Sequence, residues 1–168
     1  MQIEKGAPAI IDGWMALVER VRAEFPGLET PQAMEEHRQT VLRFMERGEA
    51  LCARADGDIA GVILFSRRHS MICCLAVAPE FRRRGAGSML LGEALRRMDC
   101  SRPVTVSTFL EDDPRGPAAR GLYRRFGFVE GAFSEEYGSP VQEFVRAPQS
   151  RDYESHRNTT KTARKSPT

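Results

Sequence analysis

The chain has 168 residues, 41% of them hydrophobic and 29% charged, which is the size and composition of one soluble globular domain and excludes a disordered or membrane-spanning chain. It contains no run of about 18 apolar residues, and its N-terminus MQIEKGAPAI lacks the basic-then-apolar order of a secretory signal, so a cytoplasmic location is expected. The formal net charge of +2 lies in the tail: residues 148–168 carry +3 and leave −1 on residues 1–147, so neither nucleic acid nor membrane is expected as a partner.

A short strand is expected at Gln2–Lys5. In AIIDGWMALVERVRAEF, Ile11, Trp14, Met15 and Val18 recur at helical spacing until Pro26-Gly27 ends the segment. A second helix fits TPQAMEEHRQTVLRFMERG, with Thr30 as N-cap, Pro31 in the first turn and Gly48 past the end. The period then changes to two. EALCARADGDIAGVILFSRR predicts two strands around the hairpin turn Asp56-Gly57, and SMICCLAVAP a third, apolar on both faces and therefore placed inside a sheet. An amphipathic helix follows, with Leu91, Leu95 and Met98 on one stripe. After it come strand PVTVSTFL, helix GPAARGLYRRFG and a strand pair from Phe128 to Arg146. The order is that of an α/β domain with a mixed sheet over 1–147. Residues 148–168 hold one aromatic and no Leu, Ile, Val, Met or Phe, so a polar basic tail outside the fold is expected.

The four cysteines, Cys52, Cys73, Cys74 and Cys100, have no metal-ligand spacing, and neighbours on a strand point to opposite faces, so free buried thiols and no metal are expected. The chemistry concentrates in CLAVAPEFRRRGAGSMLLGEAL. Gly85 and Gly87, between a buried strand and a helix, let backbone approach a ligand and leave the first helix amides unpaired. With the helix dipole and Arg82, Arg83 and Arg84 beside them, those amides form a pyrophosphate cradle. A GxxxxGK[ST] loop is excluded because Glu93 and Ala94 follow Gly92, and a dinucleotide GxGxxG because Leu90 stands at its third glycine.

What remains, Arg82-x-x-Gly85-x-Gly87, resembles the acyl-coenzyme A pyrophosphate loop of the GNAT superfamily of N-acetyltransferases. CLAVAPEFRRRGAG resembles that family's strand, loop and helix start, and AARGLYRRFGF its A-x-x-L-Y-x-x-x-G-F helix and strand. The resemblance implies a GNAT-like sheet with splayed strands at the acyl-CoA site and acetyl-CoA as co-substrate. It implies that Leu75, Ala76 and Val77 offer backbone groups to the pantetheine arm, and that Arg82, Arg83, Arg84, Gly85, Ala86, Gly87 and Ser88 hold the pyrophosphate. Tyr123 would stand near the sulfur and protonate the departing thiolate. The implied reaction is acetyl transfer to a primary amine, by direct attack in a ternary complex.

Two positions depart from the family pattern. Gly116 stands where an asparagine often contacts the pantetheine, and Cys73 stands where many members carry a glutamate base. Glu111, Asp112 and Asp113, at the end of PVTVSTFL, are the expected substitutes and would favour a cationic amine, although they also suit the start of the next helix. The departures leave open a catalytically degenerate CoA-binding module, and the basic tail an interaction domain. The acceptor, the general base and the formation of a homodimer are left open.

Overall fold

The computed structural model describes residues 1–150. Strand β1 (Gln2–Lys5) precedes helices α1 (Ile11–Val21) and α2 (Pro31–Glu46). The antiparallel strands β2 (Ala50–Ala55), β3 (Asp58–Ser66) and β4 (Met71–Val77) follow. Then come α3 (Ala86–Arg96), β5 (Val104–Phe109), α4 (Pro117–Arg125) and the hairpin β6 (Phe128–Glu136) and β7 (Ser139–Arg146). One seven-stranded sheet runs in the order β1-β2-β3-β4-β5-β7-β6, so the expected α/β mixed sheet is present. Local chemistry accounts for the boundaries. The Thr30 hydroxyl accepts the Ala33 N–H at 3.0 Å and starts α2, and Asp56-Gly57, both at positive φ, turn β2 into β3. The core lies on both sides of the sheet, with Trp14 and Val18 of α1 and Leu90, Leu91 and Ala94 of α3 fully enclosed.

The parallel pair β4–β5 positions the site. It is fastened at one end only: Thr105 N–H donates to Ser70 O at 3.0 Å, and Ser70 Oγ donates to Pro103 O at 2.6 Å. Met71 and Thr105 are the one registered pair, and beyond them the strands diverge. On its other side β4 stays paired with β3, except that Leu64 faces Cys74 and Phe65 faces Ile72, which leaves Cys73 as an extra, unpaired residue. The expectation that this strand is buried on both faces therefore needs correction. Cys73 is exposed, Cys74 and Leu75 are half-buried, and of the four cysteines only Cys52 is buried. The apolar run lines a gap rather than a sheet interior, because β5 leaves its side.

Residues 148–150 continue past β7, where Gln149 N–H donates to Cys100 O at 2.7 Å. The remainder of the expected tail lies outside the described residues. Among the described residues no helix is long and apolar enough to cross a membrane, and no group of three or more His, Cys, Asp and Glu side chains could hold a metal ion.

Candidate active site

The cradle begins where β4 ends. A 3-10 turn, Pro79–Phe81, carries the chain away from the sheet, and Gly85, at φ 84°, is the N-cap of α3. Only glycine takes that conformation without strain, and a Cβ there would meet nothing within 4 Å. The first amide bonded within α3 is that of Met89, to Gly85 O at 3.0 Å, so the amides of Ala86, Gly87 and Ser88 open the helix without helical partners. This donor set fits an anion such as a pyrophosphate.

The three arginines differ. Arg83 makes no ion pair among the described residues and sits at φ 60°. Arg84 lies 3.8 Å from the Asp56 carboxylate and packs over the Phe81 ring. Arg82 is not the mobile charge its place in the loop suggests. Its Nε donates to Val77 O at 3.1 Å and both its terminal nitrogens donate to the Glu24 carboxylate, at 2.9 and 2.6 Å. Gly87 also carries a second duty: a Cβ would approach Leu122 of α4 to 3.3 Å, so this glycine lets α3 and α4 pack closely.

Across the gap, α4 brings Tyr123 inward. Leu122 and Tyr123 are adjacent and buried on different surfaces: Leu122 turns to α3, and Tyr123 packs against the rings of Phe128 and Phe144, with centroids 5.7 and 6.0 Å away. Tyr123 is 4% exposed, and burial pushes its hydroxyl well above the ordinary tyrosine range, with the Cys74 thiol adding to the shift. The two thiols of β4 shift in the same direction, the half-buried Cys74 further than the exposed Cys73. Desolvation raises Cys73 to about 11, with the Glu49 carboxylate contributing, and raises Cys74 to about 12. Glu49, which precedes β2, is buried and accepts the Arg67 N–H at 3.0 Å. No motif marks it in the sequence, and its influence on Cys73 arises only once β2, β3 and β4 lie side by side.

Glu111 and Asp112 lie past the end of β5 in a concavity of ≈ 430 Å³ that they line with Leu110, Arg120, Glu130, Phe133 and Gln142. Tyr123 is not in that lining. Glu111 sits 3.6 Å from Arg124, which is also paired with Glu130. Asp113 is bound to Arg115, which holds its carboxyl down at about 2. The floor is Arg120, 1% exposed, which donates to Phe109 O at 3.2 Å and to Gln142 Oε1 at 2.9 Å, lies over the Phe144 ring, and keeps an unpartnered Nε. Within AARGLYRR the sequence gives no sign that this arginine, rather than Arg124 or Arg125, is the buried one.

Gly116 has a steric reason. A Cβ there would overlap the Leu110 carbonyl oxygen and come within 3.2 Å of Asp113 O, so the turn into α4 has closed over the space an asparagine side chain needs.

The profile of the acetyltransferase (GNAT) family matches residues 14–128. Solved structures share the fold. A GNAT-family acetyltransferase from Bacillus cereus, 17% identical, superposes with a TM-score of 0.69 over 89% of this chain and 98% of its own. An N-acetyltransferase from Staphylococcus aureus, 15% identical, gives 0.68 over 86% and 100%. The ribosomal-protein-S18-alanine N-acetyltransferase of Escherichia coli, 14% identical, gives 0.67 over 89% and 94%. No curated protein matches the sequence.

Proposed function

The chain belongs to the GNAT acetyltransferase family, and from that premise we propose that it transfers an acetyl group from acetyl-CoA to a primary amine in a ternary complex. The observation that carries this reading is the one-ended β4–β5 pair, with the glycine-capped start of α3 at its open end and the Tyr123 side chain on its far wall. Acetyl-CoA supplies the activated acetyl group. The edge of Leu75, Ala76 and Val77 that β5 leaves takes the extended arm as a strand neighbour, and the amides of Ala86 to Ser88 with Arg83 and Arg84 take the pyrophosphate.

The amine nitrogen forms the new N–C bond as the C–S bond breaks, and Tyr123 gives its proton to the departing thiolate. The raised pKa of Tyr123 does not disqualify it. The desolvation that brings the neighbouring Cys74 thiol to about 12 makes a thiolate beside Tyr123 a strong base, matched to a reluctant acid. The same dryness disfavours an ammonium ion, so the amine loses its proton without a carboxylate at position 73. Glu111 and Asp112, at the carboxyl end of β5, draw a cationic acceptor to that end and take up the released proton through water.

The experiment is a free-thiol assay with acetyl-CoA across amines, amino acids and peptide N-termini. Thiol release with a cationic amine is the expected result, and Tyr123→Phe should lower its kcat by about 10²–10⁴-fold with acetyl-CoA affinity kept. Glu111→Gln or Asp112→Asn should raise KM for that amine. If both leave it unchanged and Glu49→Gln lowers kcat instead, the proton goes to Glu49. Acetyl-CoA binding with no thiol release from any acceptor would support the degenerate CoA-binding reading, which Cys73 at the glutamate position favours.

A further inference from the structure

Two ion pairs fasten the cradle loop to the end of α1. Arg20 donates through both terminal nitrogens to Glu80, at 2.9 and 2.6 Å, and Arg82 does the same to Glu24, at 2.9 and 2.6 Å. The charges alternate, with Arg20 and Glu24 on one strap of chain and Glu80 and Arg82 on the other. A carboxylate held this way uses the two N–H directions with which a guanidinium grips a phosphate. Glu24 thus already fills the fork of the arginine that opens the cradle.

The strap after α1 also touches two further loops. Ala23 O accepts from Arg115 in the loop between β5 and α4, at 3.4 Å. Gly27 lies under the Tyr137 ring at the β6–β7 turn, so close that a Cβ would come within 2.6 Å of it. Residues 22–29 therefore connect the cradle to the loops beyond β5.

We propose that Glu24 is an internal anion that holds the fork of Arg82 until the pyrophosphate of acetyl-CoA displaces it, so that cofactor binding frees residues 22–29 on the acceptor side. The inference rests on the acetyl-CoA reading above. Both carboxylates are exposed enough for water to screen them, so the competition is worth a few-fold in affinity and not orders of magnitude. A ligand that displaces Glu24 must, by linkage, loosen whatever Glu24 restrains.

Acetyl-CoA binding to wild type, Glu24→Gln and Glu80→Gln is measured by calorimetry at one ionic strength, with amide exchange over 22–29 followed in parallel. Glu24→Gln should bind about three- to fivefold more tightly than wild type. Glu80→Gln, which removes the same charge but leaves the Arg82 fork filled, should not. In wild type, acetyl-CoA should speed exchange over 22–29, whereas in Glu24→Gln that exchange should be fast already. Unchanged or weaker binding by Glu24→Gln overturns the proposal, as does equal tightening by both variants, which would reflect net charge alone, or exchange over 22–29 indifferent to acetyl-CoA. Failure of wild type to bind acetyl-CoA at all overturns the cradle reading itself, and with it this one.

Discussion

Two loops face each other across the opening between β4 and β5. The one after β4 offers backbone: a left-handed glycine at 85 and three helix-opening amides, with Arg20 of α1 and Glu24 of the strap after it reaching in to steady it. The one after β5 works through side chains. Arg120 fills its base, Arg124 is shared between Glu111 and Glu130, and Asp113 is folded back on Arg115. A backbone site is specified by a few consecutive residues that permit a conformation. A side-chain site depends on where distant strands deliver each group. The first kind is portable between sequences that share little else, and the second is particular to one chain.

The largest effect should come from the backbone loop. Gly85→Val forces a β-branched residue into φ 84°, at a cost of about 1–3 kcal/mol in stability, and places methyl groups where the cradle is open. Losing two charge-assisted amide bonds, at about 1.5–3 kcal/mol each, corresponds to about 10²–10⁴-fold in acetyl-CoA affinity. Calorimetry on the folded variant tests this, and retained tight binding would remove the cradle. Gly87→Val, the more obvious choice from the sequence, is the poorer probe. It drives a side chain against Leu122, so lost binding and disturbed α3–α4 packing would arrive together.

That contrast explains what the sequence disclosed. The order of strands and helices, the Thr30 cap, the Asp56-Gly57 turn and the glycine at the start of α3 were all legible, because each depends on neighbours within a few residues. The bulge at Cys73 was not. It arises from the pairing of β4 with β3, and a run such as MICCLAV reads alike for a strand sealed on both sides and for one whose neighbour veers away. Nor was the fate of the charges legible. Arg82 and Arg83 are adjacent and chemically identical, yet one is committed to Glu24, 58 residues away, and the other is unpaired among the described residues. Arg120, Glu49 and Glu24 acquire their positions only in three dimensions.

Gly116 tests whether the loop after β5 is as particular as this suggests. If that loop were a weakened copy of a common pattern, Gly116→Asn would restore the asparagine contact and strengthen acetyl-CoA binding. The structure predicts the reverse. The new Cβ would overlap the Leu110 carbonyl and press on Asp113 O, both of them backbone with no freedom to swing aside. The variant should lose about 1–3 kcal/mol of stability, in the range of core overpacking, with no gain in affinity. Thermal unfolding and a binding titration together decide it, and tighter binding at unchanged melting temperature would show that the turn adapts.

The smallest effect separates the two loops by acid titration. Glu80, paired with Arg20, and Asp113, paired with Arg115, are each held at about 2 in the folded chain, below ordinary values of 4.5 and 3.8. Because both are depressed, the folded state binds fewer protons than the unfolded one in that range. Their stabilisation is complete above the ordinary values and is lost as the pH falls toward 2. The partners differ in distance along the chain, 60 residues for Glu80 and two for Asp113. A pair two residues apart keeps part of its attraction when the chain unfolds, so its folded and unfolded pKa values differ less than the structure alone implies. A pair 60 residues apart keeps none. Unfolding measured at pH 5 and at pH 2.5 should therefore show a smaller acid-induced loss in Glu80→Gln than in wild type, and a nearly wild-type loss in Asp113→Asn. The opposite ranking would mean that Arg20 and Glu80 are apart in solution, and that the loop after β4 is held by Glu24 and Arg82 without them.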